Sequence, residues 1–151
     1  MVAKITKKGF IGTLSLVFTL LFSIATVSVN AADNSITPYY NNVNSTSTNF
    51  IITNNGNATA SIGYTGINGT TSKAVITSYI QKKTLGIFWI RVDNGQPNKE
   101  WVDISYSNSY RNSHSIQLSS NGEYRLVVEY KISGSGGSTD EISSTINRTY
   151  E

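Results

Sequence analysis

The fold is decided by a stretch near the carboxyl end, which reads Asn121-Gly122-Glu123-Tyr124-Arg125-Leu126-Val127-Val128-Glu129-Tyr130-Lys131-Ile132. Apolar side chains occupy every second position from Tyr124 to Ile132. The positions between them are charged, with Val127 as the apolar exception. Such an alternation of period two is typical of a half-buried β-strand, and the Asn-Gly pair in front of it favours a tight turn. We therefore expect a sheet with one face in a core and the other in solvent.

The chain from residue 49 onward repeats this pattern in short runs, and none of them has the 3.6-residue period of an amphipathic helix. Eight β-rich runs follow one another at 49–53, 58–65, 73–83, 86–93, 101–106, 113–119, 123–132 and 141–150. Asn-Gly pairs suit tight hairpin turns, and they occur at Asn55-Gly56, Asn68-Gly69, Asn94-Gly95 and Asn121-Gly122. This spacing predicts an all-β fold, an antiparallel β-sandwich of about seven or eight strands over residues 49–151.

Alternation within the runs predicts which side chains enter the core. The inward set is Ala58, Ala60, Ile62, Tyr64, Ala74, Ile76, Ile80, Ile116, Leu118, Tyr124, Leu126, Val128, Tyr130, Ile142 and Ile146. The run at 86–93 is apolar on both sides, because Phe88 and Ile90 alternate with Ile87 and Trp89. A strand that is apolar on both faces is usually buried on both, so we expect this run to be central.

The amino-terminal part of the chain has the pattern of a secretory signal peptide. Three lysines, at 4, 7 and 8, precede an uncharged apolar run at 10–29 that ends in Val29-Asn30-Ala31-Ala32. A basic start, an apolar centre and small residues at the exit predict a signal helix over residues 1–31 that is removed on secretion. A retained membrane anchor is the alternative. Residues 32–48 are mostly Asn, Ser and Thr, which predicts a flexible lead-in before the sandwich.

The charge that remains after this removal excludes a nucleic-acid binder. Three of the twelve basic residues lie in the predicted signal peptide, whereas all nine acidic residues follow it, so the exported chain is neutral. A protein that neutralises phosphates needs clustered basic groups, and here they are scattered among acids. The chain also has no cysteine, so packing and sheet hydrogen bonds alone must hold the exported domain. We expect contact with a membrane only through the signal peptide.

The run Leu118-Ser119-Ser120-Asn121-Gly122-Glu123-Tyr124-Arg125-Leu126 resembles the entry to strand F of immunoglobulin-like domains. In that family a tyrosine corner follows an Asn or Asp and a glycine. The resemblance gives Tyr124 the place of the corner tyrosine, Leu126 that of the usual cysteine and Trp89 that of the core tryptophan. Since the cysteine pair is missing, it implies a fibronectin-like or generic immunoglobulin-like sandwich rather than an antibody-type domain.

A broader resemblance extends over most of the exported chain. The run Ile80-Gln81-Lys82-Lys83, then Trp89, then Gly122-Glu123-Tyr124-Arg125-Leu126 and a Gly-rich hairpin before the last strand is similar to small exported proteins of Gram-positive bacteria. Those proteins are mostly uncharacterised. The resemblance implies export and a β-sandwich, and it carries no activity, cofactor or site residue.

The residues that could do chemistry are few. His114 has no cysteine or Gly-x-Ser-x-Gly motif to work with, and one histidine without cysteine does not make a zinc site. Glu100 and Asp103, with Asp93 near the same loop, could form a calcium site or a hydrolytic carboxylate pair. Their simpler interpretation is the solvated rim of a loop. We therefore predict no catalytic residue, no cofactor and no metal, and a protein that is not an enzyme.

Aromatic residues are the one excess, with nine tyrosines and two tryptophans. Trp101, Tyr106 and Tyr110 cluster among Ser and Asn, a mixture that suits sugar-stacking or protein-binding surfaces. The competing interpretation is that tyrosine favours half-exposed strand positions. The leading hypothesis is a secreted binding domain for an extracellular glycan or protein, with these three aromatics as ligand-binding residues. A structural or self-assembling extracellular protein is the alternative, and a carboxylate-dependent hydrolase comes third.

Overall fold

The computed structural model describes residues 39–151 and consists almost entirely of β-strands. The strands are β1 (Val43–Ile52), β2 (Asn57–Gly66), β3 (Thr71–Thr84), β4 (Phe88–Arg91), β5 (Trp101–Ser105), β6 (Ser109–Gln117), β7 (Gly122–Gly134) and β8 (Asp140–Tyr150). A single turn of 3₁₀ helix, Pro97–Lys99, lies between β4 and β5. The all-β prediction is confirmed, and so is the number of strands.

The strands form two antiparallel sheets packed as a sandwich. The three-stranded sheet has the order β1-β2-β6, and the five-stranded sheet has the order β4-β3-β7-β8. Strand β5 also pairs with β3, on the same edge as β4 but further along the strand. Strand β1 faces β8 across the sandwich. On the opposite side the edges are β6 in one sheet and the β4–β5 pair in the other.

The core is formed by the alternate residues that the pattern predicts. In β2 and β3 the predicted inward side chains are at most 3% exposed, and β7 contributes its whole apolar set. Phe50 and Val43 add two buried side chains from β1. Three predicted inward residues, Ile116 of β6 and Ile142 and Ile146 of β8, are only partly buried against this core. Burial of this kind is the main contribution to the stability of a domain that has no disulfide.

Tyr124 is fully buried, and its hydroxyl donates a hydrogen bond to the carbonyl oxygen of Ser120 at 2.5 Å. The corner interpretation of this tyrosine requires such a bond to the backbone a few residues upstream. Gly122, the first residue of β7, has φ of 146°, a value that a side chain would disfavour. The local geometry therefore matches the prediction for the stretch that begins at Asn121.

The flexible lead-in predicted for residues 32–48 is wrong for its second part, because β1 begins at Val43. Nine residue pairs join β1 to β2, from Val43 opposite Gly66 to Ile52 opposite Ala58. The backbone hydrogen bonds of this pairing order a polar tract whose side chains alone could not. Thr48 also reaches inward, where its hydroxyl lies 2.8 Å from that of Tyr130. Residues 32–38 lie outside the described part of the chain.

A cluster around Asp140 fixes the beginning of β1, and we call it the Asp140 cluster: Asn41, Asn42, Ser138 and Asp140. The carboxylate of Asp140 accepts the backbone N–H groups of Asn41 at 2.9 Å and Asn42 at 2.7 Å. The side chain of Asn42 is fully buried, and its amide nitrogen donates to the carbonyl oxygen of Ser138 at 2.7 Å. The cluster joins the start of the domain to the β7–β8 hairpin.

The prediction of a central strand around Trp89 is also wrong. Strand β4 has four residues and lies at the sheet edge, where Phe88 is 57% and Ile90 is 54% exposed. Both point to the inner side, but they lie opposite Thr84 and Lys82 at the far end of β3. Trp89 faces away from the core, with the guanidinium carbon of Arg125 4.4 Å from its ring centre. The alternation of side chains identified the two faces of this strand. It could not show that both faces lack a covering layer of the protein.

The predicted signal peptide at residues 1–31 lies outside the described residues. Within residues 39–151 there is no helix long and apolar enough to cross a membrane.

Candidate functional site

The most unusual part of the sandwich is the side where β5 and β6 meet. These strands belong to different sheets, and each is an edge strand there. Their inward positions carry a carboxylate, an amide and an imidazole among the aromatic side chains, a combination found in no other part of the described core. We call this group the Asp103 cluster, and its members are Trp101, Asp103, Tyr110, Asn112 and His114.

Asp103 is at the centre of the cluster and is 8% exposed. One of its carboxylate oxygens accepts the hydroxyl of Tyr110 at 2.7 Å and the side-chain amide of Asn112 at 2.6 Å. The other oxygen lies 2.7 Å from Nε2 of His114. All three donors come from alternate positions of β6, so a regular strand is sufficient to aim them at one carboxylate of the facing sheet.

The hydrogen bonds keep this buried carboxyl group ionised. Burial raises the pKa of Asp103, but the bonds from His114, Tyr110 and Asn112 together outweigh that effect and hold the pKa below its ordinary value. The same contact, with Asp103 as acceptor, raises the pKa of the Tyr110 hydroxyl. The cluster is therefore a fixed negative charge surrounded by neutral donors and one imidazole.

Trp101 covers the imidazole. Its ring is parallel to that of His114 within 4°, and the ring centres are 5.0 Å apart. With Nε2 of His114 donating to the carboxylate, Nδ1 is left as the second polar atom of the ring. Both aromatic residues are partly exposed, so the cluster presents a stacked aromatic pair to solvent.

A buried hydroxyl without a partner lies next to the cluster. Ser78 in β3 pairs with Trp101 in the sheet register and is fully buried. Its Oγ makes no hydrogen bond within the described part of the chain.

The three aromatics predicted to bind ligand are placed in two different ways. Trp101 and Tyr110 belong to the cluster, with Tyr110 held by its bond to Asp103. Tyr106 lies in the β5–β6 loop and is 74% exposed, with the ammonium group of Lys73 5.9 Å from its ring centre. The structure thus brings together two of the three, with Tyr106 exposed on the loop that joins their strands.

The other carboxylates of this region are engaged separately. Glu100 forms an ion pair with Arg91 at 2.7 Å, and Asp93 accepts the backbone N–H of Gly95 at 3.0 Å in its own loop. The described residues contain no group of three His, Cys, Asp or Glu side chains that could hold a metal ion. The predicted alternatives of a calcium site and of a hydrolytic Glu100–Asp103 pair have no supporting contact here.

The sequence pattern did not predict that Asp103, Asn112 and His114 form one group. A signal was present, because counting back by twos from the inward Ile116 reaches His114, Asn112 and Tyr110. Three polar or amphipathic residues in phase with a core position indicate something other than packing. What the pattern could not give is the partner, since Asp103 lies on a strand of the other sheet.

Comparison with protein-family models, with curated proteins and with solved structures gave no match for this chain.

Proposed function

We propose that this chain is a secreted, non-enzymatic, immunoglobulin-like β-sandwich that binds an extracellular glycan at the Asp103 cluster. The observation that carries the proposal is the parallel stack of Trp101 on His114 beside a carboxylate held by three donors. Sugars are recognised by aromatic rings that contact their C–H faces and by fixed polar groups that bond their hydroxyls. The cluster has both, at a position with access to solvent.

The arrangement of the donors favours a glycan over a protein ligand at this place. Hydroxyl groups of a sugar can donate to Nδ1 of His114 and accept from the indole N–H of Trp101. Asp103 orients the imidazole for this task and keeps its Nε2 proton in place. Tyr106, exposed on the adjacent loop, would contact a longer saccharide.

The proposal is tested with a glycan array and a pull-down on isolated bacterial cell walls. We expect the full chain to bind at least one polysaccharide, and Trp101→Ala to lose that binding. Trp89→Ala is the matched control, because it removes the other tryptophan from a face without the cluster. Absence of binding in both assays, or binding that Trp101→Ala leaves intact, would reject the proposal.

A further inference from the structure

The outer face of the five-stranded sheet, the side turned away from the core, carries several exposed apolar side chains. Val102 and Ile104 of β5 are 54% and 53% exposed there. They share this face with Tyr79 and Trp89, whose rings lie under the guanidinium groups of Arg91 and Arg125 at 3.9 and 4.4 Å. An exposed surface that combines aromatic rings, aliphatic side chains and arginine is typical of a protein interface.

The charges on this face follow an order that identifies the partner. Strand β7 has five side chains on this face, Glu123, Arg125, Val127, Glu129 and Lys131, and the central Val127 is only 8% exposed. From Val127 towards the start of β7, the charged residues on this face are Arg125 and then Glu123. Towards the end of β7 they are Glu129 and then Lys131. Each position is therefore opposite in sign to the position at the same distance on the other side. Such a row is complementary to a second copy of itself in the antiparallel direction.

A two-fold axis that lies in the contact plane and crosses β7 at Val127 would use this complementarity. It places Arg125 of one copy against Glu129 of the second copy, and Glu123 against Lys131, each pair occurring twice. An axis along the strand would instead place Arg125 on Arg125 and Glu129 on Glu129. Like charges in contact are strongly unfavourable, so the order of charges selects the antiparallel arrangement.

The neighbouring strands agree with the same axis. In the sheet register Tyr79 and Thr145 flank Val127, so neutral side chains lie along the axis itself. Trp89 of β4 pairs with Lys83, and Ile104 of β5 pairs with Val75. Lys83 and Val75 lie on β3, four residues after and four residues before Tyr79. The two-fold rotation therefore brings Trp89 of one copy over Ile104 of the other. Apolar side chains meet on the flank while opposite charges meet on β7.

The two charged residues nearest Val127, Arg125 and Glu129, are also the ones that have no ionic partner within one copy. Within residues 39–151, ion pairs join Lys83 to Glu123 and Lys131 to Glu141, whereas Arg125 and Glu129 form none. Arg125 is held in place by Trp89 and by its Nε bond to Gln81 at 2.7 Å. In the two-fold arrangement Glu129 of the second copy supplies the carboxylate that Arg125 lacks within its own copy.

We propose that a second copy of this chain docks on the outer face of the five-stranded sheet, about a two-fold axis across Val127. Four strands spaced about 4.8 Å apart and about ten residues long offer roughly 600 Å² of plane. Specific interfaces bury about 600–1,000 Å² on each partner, so the face reaches the lower end of that range. The Asp103 cluster points to the opposite side of β5 and stays accessible in the dimer.

The test is sedimentation velocity of the full chain, purified from a host that exports it, over a range of concentrations. We expect a dimer, with its dissociation constant raised at least about 100-fold in Glu129→Arg, because two attractive pairs become two repulsive ones. The double variant Arg125→Glu with Glu129→Arg exchanges the charges, and we expect it to dimerise more tightly than either single variant. Far-ultraviolet circular dichroism confirms that each variant is folded.

Arg111→Glu is the matched control, since it reverses an arginine on the outer face of the other sheet and should leave the dimer unchanged. A monomeric wild-type chain at all concentrations would overturn the proposal. An unchanged dissociation constant in Glu129→Arg, or a double variant no better than the singles, would overturn it as well.

Discussion

Two buried carboxylates of this sandwich have opposite surroundings, and the contrast separates fold from function. Asp140 accepts two backbone N–H groups at the start of β1, and the neighbouring Asn42 is fully buried. Asp103 accepts three side chains from β6, and two of the residues around it, Trp101 and His114, reach solvent. The carboxylate of Asp140 accepts hydrogen bonds from buried backbone N–H groups, whereas that of Asp103 orients three side chains.

The kind of donor that a buried carboxylate bonds helps to distinguish a structural cluster from a candidate site in a chain without catalytic motifs. Backbone N–H groups must be paired wherever they are buried, so the Asp140 cluster needs no explanation beyond folding. An aliphatic residue at Asp103 could close the same side of the sandwich at a lower desolvation cost. A carboxylate and an imidazole are not required to close the sandwich there, and this is why we place the proposed ligand site at the Asp103 cluster.

Removal of the Asp140 carboxylate should have the largest effect. Asp140→Ala leaves two backbone N–H groups in a buried region without acceptors, each worth about 1–3 kcal/mol. We expect the free energy of unfolding in urea to fall by roughly 3 to 4 kcal/mol. Asp140→Asn keeps one acceptor oxygen and should lose less. A loss below about 1 kcal/mol in Asp140→Ala would show that the cluster does not hold β1.

Removal of the Asp103 charge should have a smaller effect on stability. Asp103→Asn replaces charged hydrogen bonds, each worth about 1.5–3 kcal/mol, by neutral ones. We expect a loss of about 2 kcal/mol, measured by urea denaturation at neutral pH, because Tyr110 and Asn112 can still bond the amide oxygen. His114→Ala removes the ring that stacks on Trp101. If either Asp103→Asn or His114→Ala lowered the free energy of unfolding by more than Asp140→Ala does, the contrast between the two clusters would be reversed.

Tyr124→Phe provides the scale for a single neutral hydrogen bond. It removes the bond from the hydroxyl to the carbonyl oxygen of Ser120 and leaves the ring in the core. We expect a loss of about 1 kcal/mol, visible as a lower midpoint in urea with the same slope. An unchanged midpoint would mean that the corner bond does not contribute to stability.

Acid should act on the Asp103 cluster through its lowered pKa. Because the pKa of Asp103 is lower in the folded chain than in the unfolded chain, its contribution is complete above the unfolded value. That contribution is lost as the pH falls below about 4 and through the folded pKa. We expect the stability of the wild-type chain to fall more steeply in this range than that of Asp103→Asn. Equal slopes would contradict the lowered pKa.

The sequence was sufficient for most of the strands and most of the core, and the reason is physical. Period two is a property of each strand by itself, so Ala58 to Tyr64 and Tyr124 to Ile132 could be assigned without knowing their neighbours. The polar tract of β1 could not, because its order comes from pairing with β2. Trp89 was assigned to the core wrongly, since the pattern shows two faces and does not show what covers them.

The candidate site was predictable in part for the same reason. Trp101 and Tyr110 stood out as aromatics among small polar residues, and the structure places both in the Asp103 cluster. The link between Asp103 and His114 crosses from one sheet to the other. It depends on which edges meet across the sandwich, and no local pattern in the chain specifies that.

The most direct test of the glycan site is a fluorescence titration of the Trp89→Phe variant. The chain has two tryptophans, so Trp101 is the only one left to report. If the Asp103 cluster binds glycan, cell-wall polysaccharide fragments will change the emission of Trp101 in a saturable way. His114→Ala in the same background will weaken that binding at least about 10-fold. Emission that stays constant while the same fragments bind the protein in a pull-down would contradict binding at this cluster.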